Sequence, residues 1–470
     1  MQNSHLTLVL RTLSKKEERE LRKWLCSPVH NQREDVVALF EYLMAGDHLR
    51  EDKFLRKERV FSRIFPQEPY DDAKVRQTMH FLLKAVEEFL IYKEQRGDEV
   101  RARMALSSVY RKRKLDRAFR KAVRGVETLQ QKAPYRNEQF LRNEYLLQME
   151  KYQFQEGKKR TTEMNLQEVS DALDHTFIAD KLRQTCLMLS HQAVYKAEYK
   201  IGLLDEVLAY VEQNQLEKLP AIAAYYFVYR SLTGQEDSNS YFERLKQLIS
   251  DKGRLFPHHE LRDIYLMAIN YCVSRYNAGD DSMPVELFKL YRNGIENKIL
   301  LENNALSHFT FRNIVNLGTA LKEFDWVNSF INNYQQYLSE KYRETFVQFS
   351  KAKLHFTKRE FDKAMQLLAQ SDFDDILTNL YGKSMLIIMY YEKDELDALE
   401  SLLGSMRTYI RRRQVTGVHK LAYTNIIKYS RKLIRINPFD RTQVSKLREE
   451  VESAKPLPEK EWFLKQLEKL

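Results

Sequence analysis

The residues able to do chemistry are few, and each falls short of the pattern its chemistry needs. Tyr381-Gly382-Lys383-Ser384 ends like a phosphate-binding loop, but Leu377 stands where that loop's first glycine belongs. Without that glycine the backbone has no room to wrap a phosphate, so the stretch reads as the start of an ordinary helix. His258-His259-Glu260 follows Pro257 and hints at a zinc-protease helix. Such a helix needs a second histidine four residues after the one preceding the glutamate, to put both ligands on one face. That position is Asp263, and a polar first turn opened by Pro257 is expected instead. Of the acid pairs, Asp280-Asp281 is expected in a loop and Asp374-Asp375 at a helix start. Cys26, Cys186 and Cys272 form no CxxC pair, which argues against a disulfide framework or a zinc knuckle. Each lies in an apolar helical context and is expected to be a small buried hydrophobe. No catalytic residue, metal or cofactor is expected, and the chain reads as non-enzymatic.

Basic side chains carry more information. Net charge is +11, and all of the excess falls in residues 1–160, where 35 Lys/Arg face 24 Asp/Glu. Within 101–124, ten basic residues face Asp116 alone. Plotted as one helix at 100° per residue, 111–126 puts Leu115, Phe119, Ala122 and Val126 on one side. Arg113, Arg117, Arg120 and Arg124 gather on the other. Residues 407–435 hold nine basic residues and no acid. There Tyr423, Ile426, Ile427 and Ile434 form an apolar side, and Lys428, Arg431, Lys432 and Arg435 a basic one, preceded by Arg411-Arg412-Arg413. Two readings follow. The stripes are solvated faces or partners for acidic stretches such as 371–375 and 392–400, or they form a surface for an anionic partner.

The elements that must position these residues are helices. Gly (13) and Pro (10) are scarce in 470 residues, against a usual joint share of about 12%. That excludes a turn-rich sandwich or barrel and a glycine-rich nucleotide fold. Ser14-Lys-Lys-Glu17 fits a capping box for a helix through Leu21, Trp24 and Leu25 that stops near Pro28. A second helix is expected over 33–44, and Asp71 or Asp72 caps a long one with Val75, Met79, Leu82, Val86 and Phe89 on one face. From about 98 to 435, helix follows helix across short polar connections near 133–134, 156–157, 219–220, 233–240, 256–257, 277–284 and 416–417. The longest charge-free apolar runs, 219–229 and 264–274, are 11 residues, about half of a membrane span. No signal peptide is read, and a cytoplasmic location is expected.

Glu323-Phe-Asp325, Glu360-Phe-Asp362 and Glu395-Leu-Asp397 recur at spacings of 37 and 35, with echoes at Lys114-Leu-Asp116 and Leu203-Leu-Asp205. The period is one helix–turn–helix, and the Asp is expected in the first turn of the second helix, where the helix dipole favours an acid. Ala352 falls nine residues before Phe361 and Ala364 three after it. In these small and aromatic positions the stretch 348–368 resembles the tetratricopeptide-repeat class. The resemblance implies an all-α fold, a right-handed α-solenoid of stacked helical hairpins over about 98–435, behind a small N-terminal helical unit (1–96). Residues 437–470 are expected to cap it, with Trp462, Phe463, Leu467 and Leu470 on the apolar side of a short final helix. The N-terminal unit and the Lys455-Pro-Leu-Pro458 tail also resemble those of uncharacterised bacterial helical-repeat proteins, which brings no activity with it.

The function expected is a scaffold or adaptor that binds a protein or peptide, an acidic one where the stripes form its surface. The alternative is a nucleic-acid-associated regulator acting through the basic N-terminal third.

Overall fold

The computed structural model describes residues 1–156, 164–195, 197–233, 237–369, 375–413, 415 and 417–470. The acidic run at 371–374 and the connection positions 157, 234–236 and 416 lie outside the described residues. The protein is all-α, 77% helix, and among the described residues no strand forms beyond an isolated bridge of Glu302 with Ala305. No described helix is long and apolar enough to cross a membrane.

The chain divides into two compact units, 1–180 and 181–470. The first holds α1 (His5–Leu10), α2 (Lys15–Leu25), α3 (Glu34–Met44), α4 (Lys57–Ile64), α5 (Asp72–Gly97), α6 (Glu99–Lys112), α7 (Asp116–Lys132) and α8 (Glu138–Glu156). The division falls within α9 (Leu166–Tyr195). The capping box is formed in full: Glu17 N–H donates to Ser14 Oγ, and Ser14 N–H donates to the Glu17 carboxylate at 2.9 Å. Asp71, rather than Asp72, caps α5, accepting from Ala73 and Lys74 N–H. Val75, Leu82, Val86 and Phe89 of α5 are buried as the periodicity requires. Leu82, Val86 and Phe89 share a core with Leu21, Leu39 and Phe40 of α2 and α3, each worth about 2 kcal/mol of transfer out of water. α5 ends at Gly97, and Asp98 caps α6 by accepting from Arg101 N–H at 3.0 Å.

The second unit continues with α10 (Leu204–Gln213), α11 (Pro220–Leu232), α12 (Ser238–Lys252), α13 (His258–Asn277), α14 (Met283–Glu296), α15 (His308–Ala320) and α16 (Phe324–Tyr334). It closes with α17 (Glu340–Thr357), α18 (Phe361–Ala369), α19 (Ile376–Glu392), α20 (Leu396–Arg412), α21 (Gly417–Arg435), α22 (Arg441–Ser453) and α23 (Lys460–Leu467). From α11 to α21 successive helices touch, as do α22 and α23, and four alternate pairs do as well: α11 with α13, α15 with α17, α17 with α19, α19 with α21. The two long apolar runs become α11 and α13, the former buried on every side from Ala221 to Val228. A helix enclosed all round needs no polar face, which is why its sequence lacks the usual stripe.

The recurring tripeptides mark one turn built four times. Lys114, Lys322, Arg359 and Asp394 each take the left-handed conformation, with φ of 57°, 63°, 62° and 58°. The residue after each donates its N–H to the carbonyl five back: Leu115 to Tyr110, Glu323 to Gly318, Glu360 to His355 and Glu395 to Tyr390, all at 2.9 Å. The left-handed residue bonds three back in every case. This is the Schellman arrangement, made here without glycine. Asp116, Asp325, Asp362 and Asp397 then lie in the first turn of the next helix.

Ala352 and Ala364 are fully buried where α17 meets α18. Tail helix α23 buries Phe463 and Leu467 in a core shared with α19–α22, while Leu470, expected on its apolar side, is exposed. Cys186 and Cys272 are buried as expected, but Cys26 is exposed: α2 ends at Leu25, leaving the cysteine as its C-cap.

Candidate binding surfaces

The N-terminal arginines sit on the α6–α7 hairpin, but not as a stripe on one helix. The helix expected over 111–126 is broken at 113–115. Arg113 is the C-cap of α6, Lys114 turns the chain, and Leu115 is the N-cap of α7. Leu115 is therefore exposed instead of packed. Arg117, Arg120 and Arg124 do share a face of α7, opposite buried Phe119, Ala122, Val123 and Val126. Phe119 stacks on Phe154 of α8 with ring centroids 4.0 Å apart. Nearby glutamates are already engaged: Glu150 of α8 with Arg111 at 2.9 Å, and Glu127 of α7 itself with Lys151 of α8 at 2.6 Å. Among the described residues no carboxylate pairs with Arg113, Arg117, Arg120 or Arg124. All four are exposed.

The C-terminal cations divide differently. Tyr423, Ile426, Ile427 and Leu433 bury one side of α21, and Ile434 packs partly against the same core. On the other side Lys432 pairs with Glu450 of α22, and Arg435 with Glu400 of α20 at 3.3 Å. Lys428 lies 4.9 Å over the ring of Tyr429. Arg431 has no ion pair among the described residues. Glu450 is held below the usual carboxylate range, chiefly by the Lys432 hydrogen bond, with Lys428 and Lys446 adding to it. Arg411, Arg412 and Arg413 are exposed at the far end of α20, which Arg413 caps. Eleven residues separate Arg411 from Glu400, about 16 Å at 1.5 Å per residue. The three-arginine run is thus at the opposite end of α20 from the carboxylate that holds Arg435.

A third feature carries no linear signature. A cavity of about 720 Å³ opens along α15, α17 and α19, bounded by Asn316, Lys322, Lys353, Tyr381 and Trp462 of α23. Trp462 Nε1 donates to Glu392 at 2.9 Å, 70 residues back, and its ring meets Tyr391 edge-on at 5.3 Å. Arg359 pairs with the same Glu392.

The near-miss motifs have structural roles. Gly382-Lys383-Ser384 lies inside α19, not at its start, because Asp375 caps that helix by accepting from Thr378 N–H at 2.7 Å. Ser384 bonds back to Leu380 O, and burial holds the Lys383 ammonium below its usual pKa. Pro257 does precede α13, but its first turn is not wholly polar: Glu260 is 2% exposed and accepts from the Tyr225 hydroxyl at 3.0 Å. Burial, then the Glu260 charge, push that hydroxyl far above its ordinary pKa, while Arg183 opposes them. This Arg183–Tyr225–Glu260 network joins α9, α11 and α13, and only the helix packing brings its members together. Asp280 folds into its loop on Ser282 and Arg275. Among the described residues no cluster of metal-ligating side chains occurs.

The chain matches no family model, no curated protein and no solved structure.

Proposed function

We propose that the protein is a non-enzymatic scaffold that binds protein or peptide partners on a right-handed, tetratricopeptide-like stack of helical hairpins. The observation that carries this reading is the cavity along α15, α17 and α19, first helices of three hairpins that share one corner geometry. Stacked hairpins of this kind present extended surfaces suited to a chain. Its exposed Tyr381, with Lys322, Lys353 and Lys465, offers one aromatic contact and positive charge. Buried Ala352 and Ala364 at the close approach of α17 to α18 favour the repeat class.

The test is capture of partners from native lysate by tagged protein, after nuclease, at about 50 and 200 mM salt. Lys353→Glu/Tyr381→Ala serves as the groove variant. A defined protein held by the parent and lost by the variant is expected. Partners retained equally by both would overturn the groove.

A second reading, nucleic-acid binding by the first unit, is favoured by the four arginines of the α6–α7 hairpin, which pair with no carboxylate among the described residues. It predicts nuclease-sensitive binding that falls steeply with salt, because each phosphate contact releases counterions.

A further inference from the structure

A second, smaller cavity of about 380 Å³ lies between α21 and α22. Four cations line it, Arg431, Lys432 and Arg435 from α21 and Lys446 from α22, against one acid, Glu450. The lining therefore carries a surplus of three positive charges. These cations differ in how they are held. Lys432 is fixed by Glu450, and Arg435 is drawn to Glu400. Arg431 and Lys446 make no ion pair among the described residues, so each keeps its full donor capacity. The Lys432 hydrogen bond, with Lys428 and Lys446 adding their charge, holds Glu450 below the usual carboxylate range, and Lys432 already neutralises it. Ile436 and Leu447 add apolar surface to the lining, and Gln443 adds an amide.

We propose that this cavity binds the phosphoryl group of a phosphorylated side chain on the partner peptide. The inference rests on the scaffold reading and adds the chemistry of one contact. An arginine fork and a mobile ammonium from two helices match a phosphate dianion, the fork by paired N–H donors and the ammonium as a point charge. The apolar lining accepts the methylene or methyl groups that carry the phosphate. A small recess open to solvent, near the low end of the roughly 300–1,000 Å³ range of ligand pockets, fits one such group on a bound peptide. A nucleic-acid backbone would call for charges repeated along a face, which is the pattern on α7 and not here. A membrane would call for a broad exposed patch instead of a recess.

The test uses the full chain and a fluorescent library of short peptides, degenerate except for a central phosphoserine, beside its unphosphorylated twin. Anisotropy is expected to show a preference of about tenfold or more for the phosphorylated library, the size of one to two charge-assisted hydrogen bonds. Arg431→Ala/Lys446→Ala should abolish the preference without moving the unfolding midpoint by more than about 2 °C, since neither side chain holds an ion pair. Arg448→Ala, which removes an α22 arginine bonded to Glu452 and Glu468, should leave it intact. Equal binding of the two libraries, or a preference that survives the double variant, would overturn the proposal. So would binding of adenosine monophosphate with the same variant dependence while the peptides fail, which would assign the cavity to a small nucleotide. If a lysate partner is still lost by the Lys353→Glu/Tyr381→Ala variant, the scaffold reading stands while the phosphate site falls.

Discussion

The hairpins α6–α7 and α20–α21 begin from similar material: a run of basic residues with almost no acid among them, opposite an apolar face. Their charges meet different fates. On α6–α7 the nearby Glu150 and Glu127 are taken by Arg111 and Lys151, and among the described residues no carboxylate pairs with Arg113, Arg117, Arg120 or Arg124. On α21, Glu400 and Glu450 come from neighbouring helices and absorb Arg435 and Lys432. Basic composition measures only the supply of cations. What remains for a partner is set by which carboxylates the tertiary packing delivers.

The largest expected effect separates the two sides of α7. Phe119→Ala should cost about 3–4 kcal/mol in urea unfolding, from lost burial and the cavity left beside Phe154. Arg117→Ala, Arg120→Ala and Arg124→Ala should each stay within about 0.5 kcal/mol. Arginine variants as costly as Phe119→Ala would mean that the face is structural.

The next effect compares the hairpins as surfaces. Arg117→Glu/Arg120→Glu/Arg124→Glu should lower affinity for duplex DNA at about 50 mM salt by on the order of 10²-fold and flatten the salt slope by about three contacts. Lys432→Glu/Arg435→Glu should change it far less, because those charges are already paired. Equal losses would erase the distinction drawn here.

A smaller effect lies at the corner between α6 and α7. Lys114 holds φ at 57°, where a side chain costs about 1–2 kcal/mol and glycine nothing. After the greater chain entropy of glycine, Lys114→Gly should raise stability by about 0.5–1 kcal/mol by the same denaturation assay.

The smallest is electrostatic. Glu450 has a depressed folded pKa, so its pairing contributes stability above the ordinary Glu value of about 4.3 and loses it as pH falls through the folded value. Glu450→Gln should cost at most about 0.5–1 kcal/mol at pH 7, the pair being half exposed. That difference should vanish in acid. A gap that persists at low pH would point to packing, not charge.

Local signals were legible in the sequence. Ser14–Glu17, a cap at Asp71 or Asp72 and the first-turn aspartates follow from short-range backbone chemistry, and the structure has them, with Asp71 as the cap. The break at 113–115 was signalled only by the Lys114-Leu-Asp116 echo, which plotting 111–126 as one helix overrode, because lysine stands where a turn would advertise itself with glycine. Glu260 looked like part of a polar turn, since Tyr225 and Arg183 reach it only through helix packing. The fate of each stripe was hidden for the same reason: Glu400 and Glu450 approach α21 from other helices. The cavity along α15, α17 and α19 draws its walls from segments as distant as Asn316 and Trp462.

The four glycine-free corners have one more consequence. Their geometry is closed by main-chain bonds alone, so the residue at each bend is free to be lysine, arginine or aspartate. Mutation can rewrite the letters of such a repeat while each bend persists. Within this chain the four bends are alike in their dihedral angles and hydrogen bonds more than in their spelling.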